Sequence, residues 1–278
     1  MDWLSDGIIG YIVSVYEGFF TNVSALITEA MKTPSGFNAT AWKAISDFHN
    51  NAVLPVAWMI LTLFLLFDLV RIIRKYNAHG TDLIYCVSLT LFKIGFAKMI
   101  MENSLIFVDA IFSIATEILS SGKQYITTSG SVNVDITKLT DALDKTNIVS
   151  LLGLMISSFI INLANSLCNV LSFCVVRLRF IEIYVMTAIS SLPLATLPNE
   201  EYKSIGINYI KRMAGLATHA ILIVIVLYLY TILVTTDMFV GSNANALDGL
   251  LSGLGYSILM VIALFQTGGW AKSAWGAS

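Results

Sequence analysis

Charge is scarce in this sequence. Asp, Glu, Lys and Arg make up 12% of its 278 residues, where a soluble domain carries roughly 25%. A water-facing surface of ordinary polarity cannot be built from so little. The net charge of −2 gives no support to an extended nucleic-acid-binding face. Cysteine is also rare. Cys86, Cys168 and Cys174 lie in apolar runs, with neither metal-ligand spacing nor a disulfide framework. They are expected to be buried small hydrophobes. No nucleotide-binding loop, HExxH, GxSxG or clustered His/Cys/Asp set is present. No catalytic residues, metal site or cofactor are therefore expected, and the chain reads as non-enzymatic. No inverted repeat of the secondary-transporter kind is visible. Asp2 and Asp6 stand where a secretory signal would be basic, so no signal peptide is expected.

What the chain does have is apolar length. It is 56% hydrophobic with a mean hydropathy of +0.78, the composition of an all-α polytopic membrane protein. About five spans are expected, at 53–73, 83–101, 148–176, 214–234 and 250–265. Residues 1–51 form an external N-terminal part and 52–278 the membrane domain. In the first part, Leu4, Ile8, Tyr11, Ile12, Val15, Phe19, Val23, Leu26 and Ile27 mark one face of a helix. That helix is expected to lie along the membrane or to pack on a neighbouring copy. Residues 32–51 read as a polar connection with a turn at Pro34-Ser35-Gly36.

Several spans carry polar residues that lipid would penalise. In the first, Asp68 sits three residues before Arg71 and is expected to pair with it. Pro55 is read as lying in the first turn, where its missing N–H matters little. The second span carries Lys93 near its middle and Lys98 near its end. Lys98 can snorkel, with Glu102 one turn on. Lys93 either faces a bundle interior or pore, or pairs with another helix. Residues 102–118 continue a helical pattern, as an extension of the second helix or as an outer-surface helix. A further span there would place three carboxylates in lipid, so 102–147 is read as an external loop with a hydrophilic helix at 136–145. In the third span Asn162, Asn165 and Asn169 fall on one face, either gluing helices together or lining a wet path. His219 in the fourth is expected to be a hydrogen-bonded packing residue. Gly249, Gly253 and Gly255 offer a small-residue face for close helix contact.

The decisive stretch is 177–212. Arg177, Arg179, Lys211 and Arg212 bracket an apolar run broken by Pro193 and Pro198. If this stretch does not cross, nine cations lie inside (71, 74, 75, 177, 179, 203, 211, 212, 272), five outside (32, 43, 123, 138, 145) and two in the second span. That bias favours a re-entrant or interfacial segment, an external N-terminus and a cytoplasmic C-terminus. The prolines agree, because each removes a backbone donor. Irregular backbone at membrane depth must be covered by protein or line a cavity. Glu182 is expected to pair with Arg179, three residues earlier.

The segment AISSLPLATLPNEEYKSIGINYIKRMAGLATHAILI resembles the signature region of the TrbL-like polytopic channel subunits of conjugative type IV secretion systems, of the Gram-positive type. Pro193, Pro198, Tyr202, Ile205, Tyr209, Lys211 and Arg212, with the span that follows, occupy the family's proline turn and cytoplasmic helix. The family often has a glycine where this chain has Leu192, and a tryptophan where it has Ile207 or Tyr209. The resemblance implies a homo-oligomeric subunit of the bacterial inner or plasma membrane. It implies work beside a secretion ATPase and single-span scaffold subunits, in contact with membrane lipids, helping to pass single-stranded DNA with its attached relaxase. The residues taken alone also fit a small-molecule or ion permease, with Lys93, Glu182 and the Asn162–Asn169 face as its polar site.

Overall fold

The computed structural model describes residues 2–75, 80–129, 148–237 and 246–276, all helix and short turns. In chain order these are α1 (Asp2–Ala30), α2 (Pro34–Phe37), α3 (Ala39–Phe48), α4 (Leu54–Lys75), α5 (Gly80–Glu102), α6 (Ser104–Ser129), α7 (Ile148–Ala188), α8 (Ser191–Leu194), α9 (Lys203–Asp237) and α10 (Ala246–Ala274). The hydrophilic helix expected at 136–145 lies outside the described residues. Six stretches among the described residues are long and apolar enough to cross a membrane: Ala39–Arg74, Ile84–Glu102, Ser104–Gly122, Met155–Ala188, Lys203–Val234 and Ser252–Ala274.

Three boundaries differ from the expectation, each for a local reason. First, 32–51 is mostly helix. Thr33 Oγ1 accepts from Gly36 N at 3.1 Å and starts α2, and Asn38 Oδ1 accepts from Ala41 N at 3.0 Å and starts α3. Pro55 is in the first turn of α4, but α4 continues directly from the helix before it rather than starting afresh. Its ring cannot donate to the carbonyl four residues back, and the helix widens just before it into a π turn, His49–Val53, closed by Leu54 N to His49 O. Second, the helical pattern expected over 102–118 is met by a separate helix that runs to Ser129, and its 104–122 stretch is a sixth of span length where about five were expected. It is set off from α5 only by a break at Asn103, whose Nδ2 donates to Met99 O at 2.8 Å. Ser113, Thr116 and Ser120 hydroxyls donate back to carbonyls of their own helix. Third, the helix that carries the third expected span does not end at Arg177 and Arg179. Apolar residues continue beyond them, and α7 runs 41 residues to Ala188. That is about 60 Å, roughly twice the hydrocarbon thickness of a bilayer.

The chain divides into two compact units. The first comprises Met1–Lys32, Glu117–Leu178 and His219–Gly269. Here α1 buries Ile8, Ile9, Val15, Val23, Leu26 and Ile27. Its Glu29 pairs with Arg177 of α7 at 3.1 Å. The N-terminal helix thus packs on its own chain's α7. His219 Nε2 meets Thr267 Oγ1 at 2.9 Å, and Tyr230 Oη meets Ser257 Oγ at 3.2 Å, joining α9 to α10. His219 is a buried, hydrogen-bonded packing residue, as expected. Gly253 is buried, whereas Gly255 is exposed with open space around it.

The second unit comprises Thr33–Thr116, Arg179–Thr218 and Trp270–Ser278. Its α4 and α5 pack side by side, and α8 packs against both. Ala57, Leu61, Ala97, Met101 and Ala195 form the buried core of this wedge, flanked by Leu54, Trp58, Ile60, Ile94 and Leu192. Three alanines at the contact allow close approach. The other faces of α4 and α5 expose Met59, Leu63, Leu66, Phe67, Phe92 and Phe96. Such faces suit lipid rather than water. Of the cysteines, Cys168 is buried, Cys86 is half-buried, and Cys174 is exposed on its helix. The last corrects the expectation of three buried thiols.

Candidate functional site: a charged wedge between two helices

Helix α7 stops at Ala188 because Pro193 has no N–H to give to the carbonyl of Ile189. The chain then turns repeatedly until α9 begins at Lys203. Its backbone donors are met locally: Leu192 N to Ile189 O, Ala195 N to Ser191 O, Thr196 N to Pro193 O, Asn199 N to Thr196 O and Lys203 N to Asn199 O, at 2.8–3.2 Å. Ser190, Ser191, Leu194, Ala195, Thr196, Pro198 and Asn199 are buried. An irregular backbone at this position is tolerable because protein covers it. Thr196 Oγ1 donates to Pro193 O at 2.7 Å and accepts from Gly206 N at 3.1 Å, tying the turns to the start of α9.

The wedge's tip carries its charges. Asn199 Nδ2 donates to Asp68 Oδ1 at 2.9 Å, and its Oδ1 accepts from the backbone N–H groups of Glu201 and Tyr202 at 3.0 and 3.2 Å. Arg71 reaches Asp68 at 3.8 Å and also donates to Glu201. Lys93 Nζ lies 3.4 Å from Glu200 Oε1. Tyr202 stacks on Phe64 with ring centroids 5.3 Å apart. A cavity of about 180 Å³ opens here, lined by Asp68, Arg71, Cys86, Thr90, Lys93, Pro198 and Glu200 among others. Two cations and three carboxylates gather at this tip. The arrangement can hold a turn against two helices, and can release it if the ion pairs break.

The other residues singled out by the sequence fall as follows. Lys98 lies over the Trp58 ring, 4.9 Å from its centroid, rather than against Glu102. Glu182 does not pair with Arg179. It takes Arg212 at 3.0 Å and Lys272 at 3.4 Å, drawing α7, α9 and α10 together. Arg179 points elsewhere, is 2% exposed, and donates from Nε to Leu216 O at 3.3 Å. Three residues apart on a helix permitted the Glu182–Arg179 pair, but a closer tertiary partner won each side chain. Tyr209 is buried and donates to Met186 O at 3.2 Å, whereas Lys211 is half-buried. Asn162, Asn165 and Asn169 lie in the first unit, not with the wedge.

Sequence reasoning missed His49. It is fully buried, with Nδ1 3.2 Å from Ala188 O and Nε2 3.0 Å from Ser104 Oγ. A carbonyl can only accept, so Nδ1 carries the proton and Nε2 accepts from Ser104. One imidazole thereby links the π turn, the start of α6 and the end of α7. The available signal was a histidine beside two asparagines, shortly before a proline. Trp275 Nε1 donating to Thr218 Oγ1 at 2.8 Å was equally unforeseen.

Long helices with lipid-suited outer faces and a protein-covered proline segment, with no strand among the described residues, define a multi-pass membrane protein. The chain belongs to the TrbL/VirB6 plasmid conjugal transfer like protein family, which it matches over residues 20–191. It is accordingly a membrane component of a conjugal transfer machine of the type IV secretion kind, made to work with other subunits. No curated protein and no solved structure matches it.

Proposed function

We propose that this protein helps form the inner-membrane passage through which a type IV secretion machine moves single-stranded DNA with its attached relaxase. The family match is the observation that carries the reading: it spans α4, α5, α7 and the start of the wedge segment. The protein acts without enzymatic chemistry of its own, as a homo-oligomer beside a secretion ATPase and single-span scaffold subunits. Its N-terminus is external and its C-terminus cytoplasmic in the bacterial plasma membrane, with 177–212 kept on the cytoplasmic side. Six crossings would bring both ends to one side, so in this topology five of the six span-length stretches cross and 104–122 stays outside. Lys93 has two roles to be separated. One is to present positive charge to a passing phosphate backbone, which attracts nucleic acid without reading sequence. The other is to clamp the wedge through Glu200, the contact at 3.4 Å.

The test is a mating assay in a strain lacking the gene, complemented by variants. Transfer at the parental frequency in the deletion strain would sink the proposal. Lys93→Met lowering transfer while protein accumulates and assembles normally, with Lys93→Arg retaining function, supports the passage role. Loss of accumulation in Lys93→Met, repaired by exchanging charges as Lys93→Glu with Glu200→Lys, supports the clamp alone. Substrate-dependent uptake into reconstituted vesicles, with mating unaffected by deletion, would favour the permease reading.

A further inference from the structure

The first unit holds a polar cavity that the passage reading does not use. It lies between α1 and α7, has a volume of about 200 Å³, and is lined by Tyr11, Ser14 and Asn22 on one side and Asn162, Asn165 and Asn169 on the other. The three asparagines recur at i, i+3 and i+7, so one helix face delivers all of them. Asn165 is 3% exposed. Its Oδ1 and that of Asn169 are buried and meet no hydrogen-bond donor among the described residues. Leaving such an acceptor dry costs about 1–3 kcal/mol in a protein interior, and more beside lipid. The space far exceeds the ~10–15 Å³ that one water needs. Among the described residues no carboxylate, ammonium or guanidinium lines it, so none of them balances the charge of an ion there.

We propose that this cavity is a hydrated site: a cluster of waters between α1 and α7 that satisfies the Asn165 and Asn169 amides. Its ligand class is water and, beyond it, small neutral molecules with hydroxyl or amide groups. It has a consequence for α1, whose seam with α7 is wet in the middle and closed by the Glu29–Arg177 pair further along. The inference stands apart from DNA transfer and survives if that reading fails.

The experiment uses the full-length protein in membrane vesicles, with Cys86, Cys168 and Cys174 replaced by serine. Single cysteines are placed at Asn165, Asn169 and Ser14 in the cavity. Others are placed at Leu163 and Leu167, which are 69% and 61% exposed on the outward side of the same helix turns. The probe is a small neutral methanethiosulfonate, which consumes the thiolate and so reacts where water reaches. Cavity positions should react at least roughly tenfold faster than positions 163 and 167, the factor that one unit of thiol pKa gives at fixed pH. Ser14→Cys is nearly isosteric and guards against misfolding of the asparagine variants. If positions 14, 165 and 169 react no faster than 163 and 167, the cavity is dry and the proposal is wrong. A second measurement asks what the amides contribute. Asn165→Leu strands the waters that bond to its amide and should lower thermal stability, whereas in a dry cavity it removes only an unpaired acceptor. Unchanged or higher stability would mean that the amide oxygen meets no water, and would overturn the hydrated site.

Discussion

Gly206 is the position where the wedge has least room, and replacing it gives a quantitative test of the packing. A Cβ built there lies 2.6 Å from Leu197 Cδ2, 2.8 Å from Leu197 Cγ and 2.8 Å from the carbonyl oxygen of Pro193. Favourable carbon contacts begin near 3.5 Å, so the two Leu197 contacts are too short by roughly 0.7–0.9 Å, and the contact with the carbonyl oxygen is also closer than a Cβ tolerates. Leu197 can change rotamer. The Pro193 carbonyl cannot, because it also accepts from Thr196 N and Thr196 Oγ1. Overpacking of this kind costs about 1–3 kcal/mol, while alanine returns up to ~1 kcal/mol of helix propensity. The net for Gly206→Ala is a loss of about 1–2 kcal/mol. The control is Gly255→Ala, where nothing lies within 4 Å of the added methyl group. That change should be neutral or mildly stabilising. In detergent, thermal unfolding followed by tryptophan fluorescence should show Gly206→Ala melting about 2–8 °C below the parent. Because such unfolding is often irreversible, all variants are compared at one scan rate. The packing argument is refuted if Gly206→Ala melts together with Gly255→Ala.

Three further outcomes are expected. His49→Ala should lower stability by about 2–4 kcal/mol, since it strands the Ser104 hydroxyl and the Ala188 carbonyl in a buried site. Normal accumulation of that variant would show the imidazole to be dispensable. Glu182→Gln leaves Arg212 and Lys272 without their carboxylate. These pairs are partly exposed, so the loss should be only about 1 kcal/mol, read as faster tryptic cleavage after Lys272; unchanged cleavage would mean the pair does not hold the C-terminal segment. In a cysteine-free background, Ser204→Cys should resist an impermeant thiol reagent added outside intact cells while Asn243→Cys reacts. External labelling at 204 would reject the cytoplasmic assignment of 177–212.

How much of this was legible before folding can be argued residue by residue. Composition and long apolar runs determined the class, because lipid permits only helices or closed barrels and the apolar runs here are helix-length. The Asp68–Arg71 pair and the packing role of His219 were also readable, the first from three-residue spacing on one helix and the second from a lone histidine in an apolar run. The two prolines marked where the long helix breaks, since a missing N–H is a local property.

Tertiary structure decided what local spacing could not. Glu182 had a cation three residues away and took two others instead, because Arg212 and Lys272 arrive on separate helices at 3.0 and 3.4 Å. Lys93 had no acidic residue within its own span until the wedge brought Glu200 to it from over a hundred residues along the chain. His49 gave no periodic signal, and its role exists only where a π turn, the start of α6 and the end of α7 converge. The sequence alone therefore determined the kind of solvent and the helical class, which depend on each segment's own composition. Which charge meets which, and which amides are left to water, depended on folding, because those energies belong to pairs of groups rather than to either group alone.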